Sequence, residues 1–156
     1  MSDIRIVDAS VEHADDLTNL CVTEEMLSND LFVQGMEIKK RWLERALGRY
    51  GSVAKIAYDG DRPVGLIQYE PRPLEQVIEI LCIYVPKRDD LRRGIGRSLF
   101  EALLRDVDRP WSALGDRPPR ALVTWAFRVP EMYPQDKFFK AMGFKEAPGD
   151  DPYLLY

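Results

Sequence analysis

The stretch VPKRDDLRRGIGRSLFEALL, residues 85–104, carries most of the chemistry legible in this sequence. A basic, glycine-bearing turn follows an apolar strand pattern and opens directly into an amphipathic helix pattern. The first backbone N–H groups of a helix have no internal partner and point outward, and the helix dipole adds partial positive charge there. Gly94 and Gly96 let an anion approach the main chain around Ile95, because neither carries a Cβ to obstruct it. Arg92, Arg93 and Arg97 add charge-assisted donors and Ser98 adds a hydroxyl. This combination is built to hold phosphate.

Two familiar phosphate loops do not fit. A dinucleotide fingerprint needs a third glycine three residues after Gly96, where Leu99 stands. A P-loop needs Gly-Lys-Ser/Thr with an earlier glycine five residues before, but Arg97 follows Gly96 and Leu91 fills the earlier slot.

The elements around this turn follow from patterning. Ile4, Ile6 and Val7 predict a first strand, and Ser10 is placed to cap a helix bearing Ala14, Leu17, Leu20 and Cys21, with Glu12 and His13 exposed. Residues 24–34 read as a flexible connection. A second helix is expected over 35–48, with Ile38, Trp42, Leu43, Ala46 and Leu47 on one face. Ser52–Tyr58 and Arg62–Tyr69 read as a hairpin joined by Asp59-Gly60-Asp61 and stopped by Pro71 and Pro73. Val77–Val85 is apolar enough for a central strand covered on both faces. Ile95–Val107 is a helix by its four-residue repeat. The Pro-rich 109–119 is a surface loop. A strand over 120–129, a helix over 135–142 ended by Gly143, and a strand over 153–156 complete the chain.

The motif and the element order together resemble the GNAT N-acetyltransferase superfamily over nearly the whole chain. Leu91-Arg92-Arg93-Gly94-Ile95-Gly96 is similar to that family's Q/R-x-x-G-x-G/A motif, with Leu91 in the first position. Phe138-Phe139-Lys140-Ala141-Met142-Gly143-Phe144-Lys145 is similar to its later helix-to-strand signature. The resemblance implies a single α+β domain, residues 1–156, with a central mixed, mostly antiparallel sheet flanked by helices on both faces. It implies acetyl-CoA as cosubstrate, no metal, and transfer of acetyl to a primary amine. The 92–98 turn would hold the pyrophosphate. Main-chain groups of Ile83, Tyr84 and Val85 would pair with pantetheine and polarise the thioester. Trp125 and Ala126 would lie beside the cofactor on a fifth strand that splays away. Phe138 and Phe139 sit in the helix that would cover its thiol end. Phe139 stands where the family often has a tyrosine acid, which leaves Tyr133 and Tyr84 as proton donors, or a thiolate that departs without one.

Attack by a neutral amine needs a proton acceptor. Glu79 and Glu70 adjoin apolar strand sequence, and a carboxylate drawn out of water is a stronger base. Cys82 occupies the place of a catalytic glutamate in many relatives, and its small apolar character also suits simple burial. Alternation puts Cys82 and Tyr84 on one strand face and Glu79, Leu81 and Ile83 on the other. Trp125, Phe127 and Tyr133 are candidates to line an acceptor pocket, while Trp42 and Trp111 read as packing residues.

Composition narrows the partners. Twenty-two Lys+Arg against 26 Asp+Glu give a net charge of −4, unlike a dedicated binder of nucleic acid or anionic membrane. There is no long apolar run or basic-then-apolar leader pattern, which reads as a cytoplasmic protein. Two cysteines and one histidine, scattered through the chain, do not form a metal-ligand pattern. Members of the superfamily often dimerise, and nothing in this sequence specifies a mode, so a homodimer stays open. A non-catalytic acyl-CoA-binding module of the same fold is the alternative function.

Overall fold

The computed structural model of the protein describes residues 3–20, 24–125, 135–149 and 153–156. In chain order the elements are β1 (Ile4–Asp8), α1 (Ala14–Leu20), α2 (Glu24–Leu27), α3 (Asp30–Tyr50), β2 (Ala54–Asp59), β3 (Arg62–Arg72), β4 (Val77–Tyr84), α4 (Ile95–Val107), β5 (Leu122–Trp125), α5 (Gln135–Ala141), β6 (Lys145–Glu146) and β7 (Tyr153–Leu155). The strands hydrogen-bond in the order β1-β2-β3-β4-β5-β7-β6. β1–β2, β2–β3, β5–β7 and β6–β7 are antiparallel, while β4–β5 is parallel. The expected α+β class with a mixed, mostly antiparallel sheet is what forms. The chain divides into two compact units, residues 1–68 with 82–105 and residues 69–81 with 106–156. Among the described residues no helix is long and apolar enough to cross a membrane.

In the first unit, strand alternation decides which helix lies on which face. Ile56 pairs with Leu66 in the β2–β3 register, and both join Leu17, Leu20, Leu43, Ala46 and Leu47 of α1 and α3 in one buried cluster. The neighbouring Gly65 points the other way, toward Ile95 and Leu99 of α4. Helices therefore cover both faces of this part of the sheet. Lys55 and Asp8 stand opposite each other across β1 and β2. They form an ion pair in which the Lys55 side chain is 4% exposed and that of Asp8 65%.

Residues 24–34, expected as a flexible connection, are mostly helical. Asn29 explains it: its Oδ1 accepts hydrogen bonds from the Leu31 and Phe32 amides at 3.0 and 3.3 Å and starts α3 five residues early. Only Leu43, Ala46 and Leu47 of the expected apolar face are buried; Trp42 packs partly against the core, and Ile38 is 66% exposed. His13, expected to be exposed, is half-buried, and its Nδ1 accepts the Ser10 amide at 2.9 Å. Cys21 lies outside the described residues.

In the second unit, Phe139 lies edge-on to Phe138 and Phe144, with ring centroids 5.4 and 5.1 Å away, and Phe144 meets Tyr156 at 5.4 Å. The 109–119 segment is more than a surface loop. Leu114 is fully buried, and Trp111 packs edge-on to Tyr69 while its Nε1 donates to the Asp106 carbonyl at 3.1 Å. The short β6 begins at Lys145, where the helix-to-strand signature ends. Pro71 does not stop β3, which runs on to Arg72.

Candidate functional site

β4 leads into the site. Ile78 and Ile80 are buried, whereas Leu81 is 42% exposed, so the strand is not covered on both faces as its apolar run predicts. Its parallel pairing with β5 runs from Ile78–Leu122 to Ile80–Thr124, while β4 itself continues to Tyr84. Cys82 and Tyr84 pack together against the α1–α3 core cluster, the shared face that alternation predicts. Ile83, Tyr84 and Val85 are half-buried.

After Pro86 the chain makes a short 3-10 turn at Arg88–Asp90, with the Asp90 amide donating to the Lys87 carbonyl at 3.0 Å. Arg92 then adopts φ +68° and Gly94 φ +74°. The Ser98 amide donates to the Gly94 carbonyl at 2.9 Å, which makes Gly94 the residue that opens α4. The amides of Ile95, Gly96 and Arg97 come before any helical carbonyl in reach, so they are the unsatisfied donors of this helix. A Cβ at Gly94 would meet nothing within 4 Å, so glycine is needed there for its backbone angle rather than for space.

The arginines divide into two groups. Arg92 and Arg97 are exposed, as a phosphate would require. Arg93 is engaged elsewhere: Nη1 donates to Asp90 Oδ1 at 2.7 Å and Nη2 to Asp59 Oδ2 at 3.0 Å. Arg62 joins from the β2–β3 hairpin, donating from Nη1 to Asp90 Oδ2 at 2.9 Å and from Nη2 to Asp90 Oδ1 at 3.2 Å. Asp90 is only 2% exposed. Hydrogen bonds from Arg62, then from Arg93, hold its carboxyl below the usual aspartate range. Ile95 is buried, so only its main chain faces the turn, and Ser98 is half-buried.

The remaining expected residues lie in the second unit. Glu79 has a side chain 15% exposed, and its Oε2 accepts from Arg72 Nη1 at 2.7 Å. Arg72 also lies 3.6 Å from Glu70 and 3.9 Å from Glu75. The carboxylate expected as a base is thus already engaged by a cation. Trp125 ends β5, opposite Tyr153, and is 51% exposed. Phe138 is half-buried, and Phe139 is enclosed in the aromatic cluster at 2% exposure. Ala126, Phe127 and Tyr133 lie outside the described residues.

Sequence reasoning missed Asp59, Arg62, Asp90 and Arg72. Two signals for them exist: Asp59 and Arg62 flank a Gly-Asp hairpin turn, and Asp90 and Arg93 are spaced three apart beside the glycines.

No family model matches the sequence, and no curated protein resembles it significantly. Solved structures do resemble it. PaiA N-acetyltransferase from Thermoplasma acidophilum, in complex with coenzyme A, superimposes with a TM-score of 0.68 at 16% identity, covering 98% of this chain and 96% of its own. A Desulfovibrio desulfuricans protein assigned to the GNAT family gives 0.66 at 18% identity over 100% and 97%. AAC(6')-Iy, bound to a bisubstrate analogue, gives 0.66 at 17% identity over 96% and 95%. The chain has the GNAT acetyltransferase fold.

Proposed function

We propose that the protein is an acetyl-CoA-dependent N-acetyltransferase that acts on a primary amine of a small molecule or peptide. The observation that carries this reading is the Gly94 turn. It is a left-handed glycine after β4 that opens α4, with three unsatisfied helix-start amides following it and two exposed arginines, Arg92 and Arg97, on either side. A diphosphate suits that donor set. Coenzyme A occupies the PaiA structure of the same fold.

With pyrophosphate at residues 92–98, the pantetheine arm would run along Ile83–Val85, within reach of their main-chain groups, and Trp125 would be a further cofactor contact. The amine nitrogen then attacks the thioester carbonyl carbon. A C–N bond forms, the C–S bond breaks, and the electron pair leaves with sulfur as thiolate. The nitrogen gives up a proton to a base. Glu79 is the proposed acceptor, directly or through water, once the amine competes with Arg72 for it. Cys82 and Tyr133 are the other groups proposed near the reacting atoms, Tyr133 as proton donor to the thiolate. The work is proposed for the cytoplasm.

Gly94→Val tests the reading, because a β-branched residue strongly disfavours φ +74° even where space is open. The folded variant is expected to bind coenzyme A at least about tenfold more weakly, a change of about 1.4 kcal/mol. Unchanged affinity would overturn the assignment.

Phe139 favours one alternative, a module that binds acyl-CoA without transferring the acyl group. Its buried ring offers no proton to a departing thiolate. A panel of amines, polyamines, amino acids and peptide N-termini separates the two, since only an acetyltransferase releases coenzyme A faster when its amine is present.

A further inference from the structure

We propose that Asp90, gripped by Arg62 and Arg93, is a positioning residue for coenzyme binding: it holds the 91–94 turn in its anion-receiving shape before any ligand arrives. The inference rests on the functional reading above and assigns work to residues that do not themselves face the phosphate.

Four side chains link two turns. Asp59 and Arg62 flank the β2–β3 hairpin turn, and Asp90 and Arg93 flank the approach to α4. Asp90 accepts three hydrogen bonds, two from Arg62 and one from Arg93. Asp59 accepts a fourth from Arg93 and lies 3.5 Å from Arg62. Two cations and two carboxylates neutralise each other. The burial of Asp90 makes the arrangement obligatory, because a carboxylate removed from water is unfavourable unless paired and hydrogen-bonded.

Between the gripped residues lies a backbone angle that needs an external cause. Arg92 sits at φ +68°, a region that residues with a Cβ seldom adopt. Such a conformation persists when the surroundings over-determine it. Here the Asp90 and Arg93 side chains are fixed on either side of Arg92. The Asp90 amide is tied back to Lys87, and the Gly94 carbonyl is tied forward to Ser98. The turn is thereby shaped in advance, which lowers the ordering cost that binding would otherwise meet. Arg93 is withdrawn from phosphate contact to do this, and Arg92 and Arg97 are left to face the ligand.

Calorimetric titration of the full chain with coenzyme A at fixed salt, on Asp90→Asn and Arg62→Gln, tests the claim. Arg62 is 42% exposed, so its variant is the safer to fold. Both folded variants are expected to raise the coenzyme A Kd at least tenfold. Arg92→Gly supplies the readout that a merely structural role would not move. In the wild-type background it lowers affinity by removing a cation. In the Arg62→Gln background it should cost at least threefold less, because glycine accepts the angle without the clamp. Hydrogen exchange at the Asp90 and Ser98 amides is expected to accelerate at least tenfold in Arg62→Gln. A Kd within twofold of wild type in both folded variants, or additive effects of Arg62→Gln and Arg92→Gly, overturns the proposal. If the wild-type protein binds no coenzyme A, the functional reading fails instead; unchanged amide exchange would then overturn the clamp as well.

Discussion

Gly65 of β3 lies under Ile95 of α4 so closely that a Cβ there would stand 2.9 Å from Ile95 Cγ2. It would also come within 3.3 Å of Leu99 Cδ1 and of the Tyr84 carbonyl oxygen. A strand glycine thus sets how near the start of α4 approaches the sheet, and α4 begins with the amides assigned to phosphate. Gly65→Ala is expected to destabilise the protein by about 1–3 kcal/mol, the usual cost of overpacking. It should also weaken coenzyme A binding by displacing the Ile95 end of the helix. Chemical denaturation and calorimetry measure the two effects; an unchanged denaturation midpoint would contradict the close contact.

Phe139 separates a catalytic from a packing role. Phe139→Tyr introduces the tyrosine that the resemblance to GNAT acetyltransferases would lead one to expect there, yet places a hydroxyl in a cluster where the ring is 2% exposed. A buried hydroxyl without a partner costs about 1–3 kcal/mol. A lower melting temperature and no gain in turnover are expected. A rise in turnover would show that position 139 does reach the departing sulfur.

The pH dependence of stability has two identifiable limbs. Burial, followed by the 2.6 Å hydrogen bond from its hydroxyl to Asp16, raises the Tyr58 pKa well above the ordinary phenol value. A raised folded-state pKa gives stability that is complete below about pH 10 and declines as pH climbs toward the folded value. Asp90 acts in the opposite sense. Its lowered pKa gives stability present above about pH 4 that is lost as pH falls through the folded value. Tyr58→Phe should remove about 1.5–3 kcal/mol at neutral pH and flatten the alkaline limb. Asp90→Asn should flatten the acid limb. Denaturation curves collected from pH 3 to about pH 11 test both signs.

Asn29 is expected to be worth about 1 kcal/mol as the cap of α3. Asn29→Ala should lower the melting temperature, and Asn29→Asp should preserve it, because aspartate accepts the same two amide hydrogen bonds. Equal stability of all three proteins would mean that α3 starts without help from its cap.

The parts of the fold that sequence made plain are those set by local periodicity. α4 forms over the residues its repeat predicts, Ile95–Val107, and the Asp59–Arg62 turn lies where Asp-Gly places it. What stayed hidden depends on side-chain hydrogen bonds and ion pairs, which leave no trace in apolar periodicity. Asn29 caps a helix whose first two turns have exposed Leu31 and no buried stripe, so apolar periodicity starts late. Pro71 looked like a strand breaker, yet β3 extends past it. Gly94 was legible as a turn residue because glycine readily takes a φ of +74° before a helix start. The engagement of Arg93 by Asp59, 34 positions away, was not, since ion pairing depends on tertiary approach. The same holds for Glu79 and Arg72, where strand pairing brings a cation to a carboxylate that sequence alone treats as available.

Lys55 has a consequence for the protein's own chemistry. With the proposed activity the chain would handle an activated acyl group and risk modifying its own amines; the Lys55 side chain, 4% exposed, is paired with Asp8. Paired with a carboxylate and largely out of solvent, that nitrogen is poorly placed to meet an acyl donor. Among the described lysines it should be the slowest to take up a label in an acylation footprint read by mass spectrometry, and it would gain reactivity only as β1 peels from β2.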